Sequence, residues 1–331
     1  FLAQRAGEPG RARALAQQRA AAERRARDAR EAMVRALVAL VADFPSRPRA
    51  DETLLSLALA LEALGQGDRA LQVYHRLLRE HPRSRFVPHA YLAFAERAFA
   101  SGALDEARQF YERVLTIPAE ANELYGYALY KLAWVRHGLE DFAGALDAFV
   151  RVLEHTRAFP DRTSSAALAR QSRRELVLPY ARTARPDRAL AFFRRVASSE
   201  AEAHEMLEAL AHLYFDMGRW PETIRVHQEL MALAPSAEGL CGWQARVLDA
   251  TIASRPKPEQ VREARRLADV RGTFRGAGHA ADAVRRCDEE TASALVLLAT
   301  AWHREAVGTD ESPGPRERAT MEHAAALYKL T

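Results

Sequence analysis

The side chains that could do chemistry in this 331-residue chain are few and badly spaced for it. A zinc-binding HExxH helix needs two histidines four residues apart, so that both rings reach one ion while the glutamate acts as base. His204 opens that pattern with HEM, but a glutamate, Glu208, stands where the second histidine would be. No serine lies in a GxSxG turn. Gly272, Gly276 and Gly278 follow no strand pattern and are not spaced to cradle a phosphate; they read as the loop RGTFRGAGHA. The eleven histidines are scattered, and most, like His81 beside Pro82, fall at helix ends or on the surface. Cys241 and Cys287 have neither CxxC nor zinc-type spacing. Two small buried residues is the plain reading of them. The alternative is a disulfide between stacked helices, which requires an oxidising compartment. The expectation from these residues is no enzyme, no cofactor and no metal.

A chain without a reactive site acts through its surface, and here the surface is set by helices. Alanine and leucine dominate, glycine is sparse, and no alternating β-branched run of strand length occurs, so the class is all-α. The net charge of +4 comes from 48 basic and 44 acidic residues, a balance that provides no broad basic field for nucleic acid. Arginine carries almost all the positive charge, since Lys131, Lys257 and Lys329 are the only lysines. No apolar run approaches the roughly 20 residues needed to cross a bilayer. The sequence begins at Phe1 without methionine and stops at Thr331 inside the helical pattern AALYKL, so it reads as a piece of a longer protein.

Three segments are expected. Residues 1–44 contain one long helix over 11–43, rich in strong helix formers. Its first half has Leu15 and alanines as its only apolar residues and projects into solvent or pairs elsewhere. In its second half Met33, Val34, Leu37, Leu40, Val41 and Phe44 form a packing face. The arginines Arg19, Arg24, Arg25, Arg27 and Arg30 could serve RNA or anionic lipid, but they are interleaved with Glu23, Asp28 and Glu31, which favours a solvated face. After the linker PSRPRA, residues 51–235 repeat one unit, a pair of amphipathic helices around a turn. In residues 203–235 Leu207, Leu210, Ala211 and Tyr214 recur at helical spacing, Gly218 breaks the run, and Ile224, Leu230, Met231 and Leu233 form a second stripe before Pro235. Aligned on a small residue where the two helices cross, the units mark Ala70, Ala107, Ala145, Ala189 and Thr223, spaced 37, 38, 44 and 34 residues apart. Four residues on stand Tyr74, Tyr111, Phe149, Phe193 and His227. Glycines at Gly65, Gly102, Gly138 and Gly218 suit tight turns of positive φ. In residues 236–331 the pattern decays: helices are expected over 240–252, 258–270, 291–307 and from Arg316, as two divergent hairpins that continue the stack. A separate helical domain is the alternative.

The pattern G-x-[YFW]-x-x-A across the turn, with a closing proline, resembles the tetratricopeptide repeat over residues 51–235. The runs HPRSRFVPHAYLAFAERAFASGALDEARQFYERVL and YGYALYKLAWVRHGLEDFAGALDAFVRVLEH are similar to arrays in the cell-envelope and gliding-motility tetratricopeptide proteins of myxobacteria. The family resemblance implies a right-handed α-solenoid of stacked hairpins whose first helices line a concave groove. It implies a partner-binding surface made of Phe99, Tyr127, Tyr130, Trp134, His137, Arg174, Arg182, Glu208, His212 and Phe215. Glu52, Leu55, Leu59, His89, Leu92, Glu96, Leu178, Glu205 and Asp216 are implied to face the same groove. Trp134 with Tyr127, Tyr130 and Phe99 would anchor a peptide or partner helix, unless Tyr130 and Trp134 are buried between helices. The lysine and asparagine pattern that holds a C-terminal carboxylate in chaperone-binding members is missing. The implied function is a non-enzymatic protein-interaction scaffold, periplasmic or outer-membrane-associated, in a gliding-motility or trans-envelope machine, with envelope-complex subunits as partners. An envelope-assembly or cell-wall factor and a cytoplasmic regulator are the alternatives.

Overall fold

The computed structural model describes residues 8–44, 47–308 and 313–330. The expected linker at 45–50 lies partly outside the described residues, and residues 1–7, 309–312 and Thr331 lie outside them. Among the described residues every regular element is a helix. The chain divides into two compact units, residues 1–172 and 173–331.

The first unit opens with α1 (Glu8–Asp43), followed by the pairs α2 (Ala50–Ala63) and α3 (Gly67–Glu80), α4 (Val87–Ala100) and α5 (Leu104–Leu115), and α6 (Tyr125–Gly138) and α7 (Phe142–Ala158). Ala70, Ala107 and Ala145 are all buried, and so are Tyr74, Tyr111 and Phe149 one helical turn later. A side chain of one methyl lets two helices approach, and the ring beyond it fills the space where they diverge. Val34 and Val41 of α1 join the core of α2 to α4, with Leu37 packed against it. Met33 and Phe44, expected on the same packing face, are instead 46% and 59% exposed, because they lie on the flank of the stripe that Val34 and Val41 centre.

Turn chemistry follows the glycines in part. Gly65 and Gly102 adopt φ of +74° and +77°, a region that costs other residues about 1 kcal/mol or more. Gly138 does not; it closes α6, and the left-handed residue of that turn is Glu140 at φ 60°. A Cβ on Gly138 would stand 2.8 Å from Leu104 Cδ1, so the glycine there serves a close approach, not a turn. Gly126 has the same role with a stiffer neighbour. A Cβ there would meet His155 Cδ2 at 2.7 Å. The His155 ring is buried between Tyr125 and Phe159, at 5.2 and 4.9 Å, and Arg162 lies 4.1 Å over Phe159. Gly126→Ala is therefore expected to destabilise the first unit by about 1–3 kcal/mol despite alanine's better helix propensity, as read by a lower urea midpoint.

The boundary between the units falls within α8 (Ser165–Glu175). The second unit continues with α9 (Val177–Thr183), a 3-10 turn at Pro186–Arg188, α10 (Ala189–Val196), α11 (Glu200–Asp216), α12 (Trp220–Leu233), α13 (Leu240–Ser254), α14 (Lys257–Gly276), α15 (Ala281–Val307) and α16 (Arg318–Tyr328). The first helix of the fourth repeat is thus broken at Leu176. Pro179 has no N–H to offer the carbonyl four residues back, on Glu175, and its ring crowds that carbonyl. Ala189 and Thr223 with Phe193 and His227 repeat the small-then-ring rule, all buried. Gly218 turns at φ +68°, and Pro221 sits in the first turn of α12, where no amide is needed.

The C-terminal reading needs correction in two places. The expected loop at 271–280 is helical as far as Gly276, because Phe274 is buried and its ring stacks on His279 at 3.8 Å. The expected helix at 291–307 begins ten residues earlier, at Ala281; the segment ADAVRRCDEE holds no helix breaker. Cys241 of α13 and Cys287 of α15 are both buried, and they form the disulfide that is the alternative to a pair of free buried thiols.

Candidate functional site

In the first unit the expected groove residues come from α2, α4 and α6; Leu55 of α2 is instead buried in the core while Leu59 is exposed, and the geometry on α4 and α6 is organised by Lys131. Lys131 Nζ lies 3.1 Å from Glu96 Oε2, 4.1 Å over the Phe99 ring and 6.0 Å from the Tyr127 ring centroid. The Tyr111 hydroxyl, from α5, donates to the other carboxylate oxygen, Glu96 Oε1, at 2.6 Å. Burial, then the nearby Glu96 carboxylate, raises both phenols, Tyr127 to about 12 and Tyr111 further, so both stay neutral donors at physiological pH. Tyr127 is 37% exposed. The arrangement is a carboxylate and an ammonium held beside two rings, with a phenol reaching solvent. It can meet a partner with apolar area and hydrogen bonds, the Lys131 ammonium being already paired with Glu96.

The four aromatics expected as one cluster divide into two. Phe99 and Tyr127 gather about Lys131. Tyr130 and Trp134 each pack edge-to-face with Phe149 of α7, at 5.9 and 6.0 Å, and both are half-buried. His137 stands between Trp134 and Phe142, at 5.7 and 5.2 Å. His89 lines a separate cleft of about 400 Å³ with Arg85, Phe86, Glu120 and Glu123. Burial holds its imidazole below the ordinary histidine range, with Glu123 opposing. Asn122, which sequence reading missed, fixes one wall of that cleft: its side-chain amide donates to Val114 O at 2.8 Å, and its own carbonyl accepts from Arg162 at 3.0 Å.

In the second unit the α11 face carries Glu205, Glu208, His212, Phe215 and Asp216. Glu208 accepts the indole N–H of Trp243 at 2.7 Å, and the Arg246 guanidinium lies 4.5 Å over the Phe215 ring. Trp220 meets Phe215 edge-on at 5.5 Å. His212 is exposed and stands 6.0 Å, ring to ring, from the fully buried His227. Arg174 and Arg182 are exposed, on α8 and α9, on either side of the break at Leu176. The broken zinc pattern at His204 is used locally: Nε2 lies 3.2 Å from Glu200 Oε1, one turn back. Among the described residues no group of three or more His, Cys, Asp or Glu is arranged to hold a metal ion, and no helix is long and apolar enough to cross a membrane.

Residues 52–84 and residues 207–240 each match a family model of the tetratricopeptide repeat. No curated protein matches the chain. Among solved structures, it is similar to YrrB, described as a tetratricopeptide-repeat protein with an unusual peptide-binding site. The identity is 18% over 60% of this chain and 93% of that one, with a TM-score of 0.41. A tetratricopeptide repeat protein from Parabacteroides merdae is 17% identical over 78% of this chain and 90% of its own, with a TM-score of 0.38. A thermophilic one from Thermus thermophilus is 24% identical over 61% and 100%, with a TM-score of 0.30.

Proposed function

We propose that this chain, whose residues 52–84 and 207–240 are tetratricopeptide repeats, is a non-enzymatic scaffold that binds other proteins through the first-helix faces of its two units. Hairpins of this repeat class are known as surfaces for partners and not as catalysts. The observation that carries the reading is the group on α4 and α6: Tyr127 reaches solvent beside Phe99, while Lys131 and Glu96 hold each other in place. Side chains already fixed by neighbours lose little entropy when a partner docks, which is what makes an aromatic anchor effective. Trp134, Tyr130 and His137 extend the same face with less exposed area. On α11, Glu208, His212 and Phe215 offer an acidic and aromatic counterpart, with Arg174 and Arg182 supplying positive charge earlier in the unit.

The setting that fits best is the cell envelope, periplasmic or outer-membrane-associated, as a component of a gliding-motility or other trans-envelope machine. What supports an exported chain is the Cys241–Cys287 bond, since disulfides persist in oxidising compartments and are rare in reduced cytosol. Alkylation of thiols in intact source cells, followed by mass spectrometry, is expected to leave both cysteines unmodified until a reductant is added; quantitative labelling beforehand would place the chain in the cytosol. For the binding face, a Tyr127→Ala, Lys131→Ala variant with an unchanged melting curve is expected to lose the proteins that co-purify with the native chain after cross-linking. Recovery of the same partners in the same yield would rule this face out.

A further inference from the structure

We propose that the Cys241–Cys287 disulfide is a redox-controlled clasp that holds the first half of α15 on its unit, and that its reduction frees residues 281–291 while the rest of the unit stays folded. The two halves of α15 are anchored differently. Beyond position 294, Leu295, Leu298, Ala299 and Trp302 share one apolar core with Leu248 of α13, with Val261, Ala264 and Leu267 of α14, and with Ala324 and Leu327 of α16. In the first half the fully buried residues are Ala283, Cys287 and Thr291, all small, with Val284 half-buried beside them, and the Thr291 hydroxyl is buried without a hydrogen-bond partner. Since hydrophobic stabilisation follows apolar area, three small residues and one half-buried valine anchor a helix less than a leucine and tryptophan ladder.

Charge does not make up the difference. Arg275 meets Asp288 at 2.7 Å and Arg286 meets Glu238 at 3.4 Å, but both pairs are surface contacts in water, where ion pairs contribute little. The remaining tie is covalent. Cys241, the second residue of α13, is bonded to Cys287 across 46 residues of sequence. Next to it, a Cβ on Gly242 would stand 3.6 Å from Glu290 Oε2, so this half of α15 lies against the start of α13. Its release uncovers that start, one residue from Trp243, the indole that fixes Glu208 on the α11 face. The clasp is a property of the bond and stands whether or not that face binds a partner.

The chemistry is thiol–disulfide exchange. A thiolate of an external dithiol attacks one cysteine sulfur, the S–S bond breaks and a mixed disulfide forms. The dithiol's second sulfur then displaces the protein. Cys241 and Cys287 end as thiols, each with one proton, and the reductant leaves as its own disulfide.

Hydrogen exchange by mass spectrometry on the intact chain tests this, with and without dithiothreitol and with thiol titration as the check on reduction. The native protein purified without reductant is expected to titrate no thiol, and two after reduction. Amides of 281–291 should then exchange roughly tenfold faster or more, while those of α11, α12 and 295–307 keep their rates. A Cys241→Ala, Cys287→Ala variant should reproduce the reduced pattern without any reductant, which covers slow access to the buried bond. Two free thiols in the native protein, unchanged exchange over 281–291 in the variant, or a rise across the whole unit would each overturn the proposal.

Discussion

Replacing Ala145 with arginine is expected to abolish folding of the first unit. Ala145 is 0% exposed on the first turns of α7, at the position where every repeat carries a small residue. Arginine there adds six heavy atoms beyond Cβ to a site that holds one methyl, and it brings a charge whose burial costs several kcal/mol without a partner. Overpacking and an unpaired charge act together, so the loss should exceed about 4 kcal/mol, a range reserved for such combined faults. Ala143, on the same helix but exposed, provides the control: Ala143→Arg should stay within about 0.5 kcal/mol of the native chain. Circular dichroism melts of both variants decide the matter. An Ala145→Arg chain that melts with the native one would mean that the small-residue register does not mark the packed face.

That register could be read from sequence because it is local. A small residue and, one turn later, a ring recur on one side of a helix whatever the rest of the chain does, so Ala70, Ala107, Ala145 and Ala189 announce themselves at a repeating interval. Features that depend on partners far along the chain could not be read in this way. The cysteine pair is separated by 46 residues, and nothing in either local sequence distinguishes a bonded cysteine from a small buried one. The start of α15 is hidden for a related reason: ADAVRRCDEE has helix formers but only a thin apolar stripe, its fully buried residues being Ala283 and Cys287 with Val284 half-buried. Gly138 stands near a turn and so resembles a turn glycine, whereas its lack of a side chain serves Leu104 of the preceding repeat. On the candidate face, residue types were visible and their division was not. Whether a ring on a first helix turns to solvent, as Tyr127 does, or to its own second helix, as Trp134 does toward Phe149, depends on the facing helix. Lys131 carried a signal that was there to use: it is the lone lysine of residues 51–235, and it follows Tyr127 by one turn.

The ring position after the crossing residue leads to the second large effect. Four repeats fill it with Tyr74, Tyr111, Phe149 and Phe193; the fifth fills it with His227, which is 0% exposed. Its Nδ1 lies 2.8 Å from Thr223 O, so the proton is on Nδ1 and the buried Nε2 is an acceptor without a hydrogen-bond partner. Burial lowers its pKa to about 4; the Thr223 carbonyl opposes this, His212 and Arg246 add to it, and Glu208 opposes it in turn. In the unfolded chain the same imidazole titrates near 6.5. Between those two values the unfolded state binds the proton and the folded state does not, so stability is full above pH 6.5 and falls as the pH drops toward 4. The difference of about 2.5 units corresponds to roughly 3 kcal/mol at most. His227→Phe places at this site the residue that Phe149 and Phe193 already supply at theirs, and it removes the titration. The variant should match or exceed the native stability at pH 7 and gain on it by up to about 3 kcal/mol at pH 4.5, because the native chain weakens while this contribution in the variant does not. Other carboxylates and histidines titrate in both proteins and cancel in the comparison. Urea unfolding of the intact chains at pH 7.5, 6 and 4.5 measures the gap. A gap that stays constant with pH would mean that His227 is not held neutral by its surroundings, and that an imidazole serves this packing position no differently from a phenyl ring.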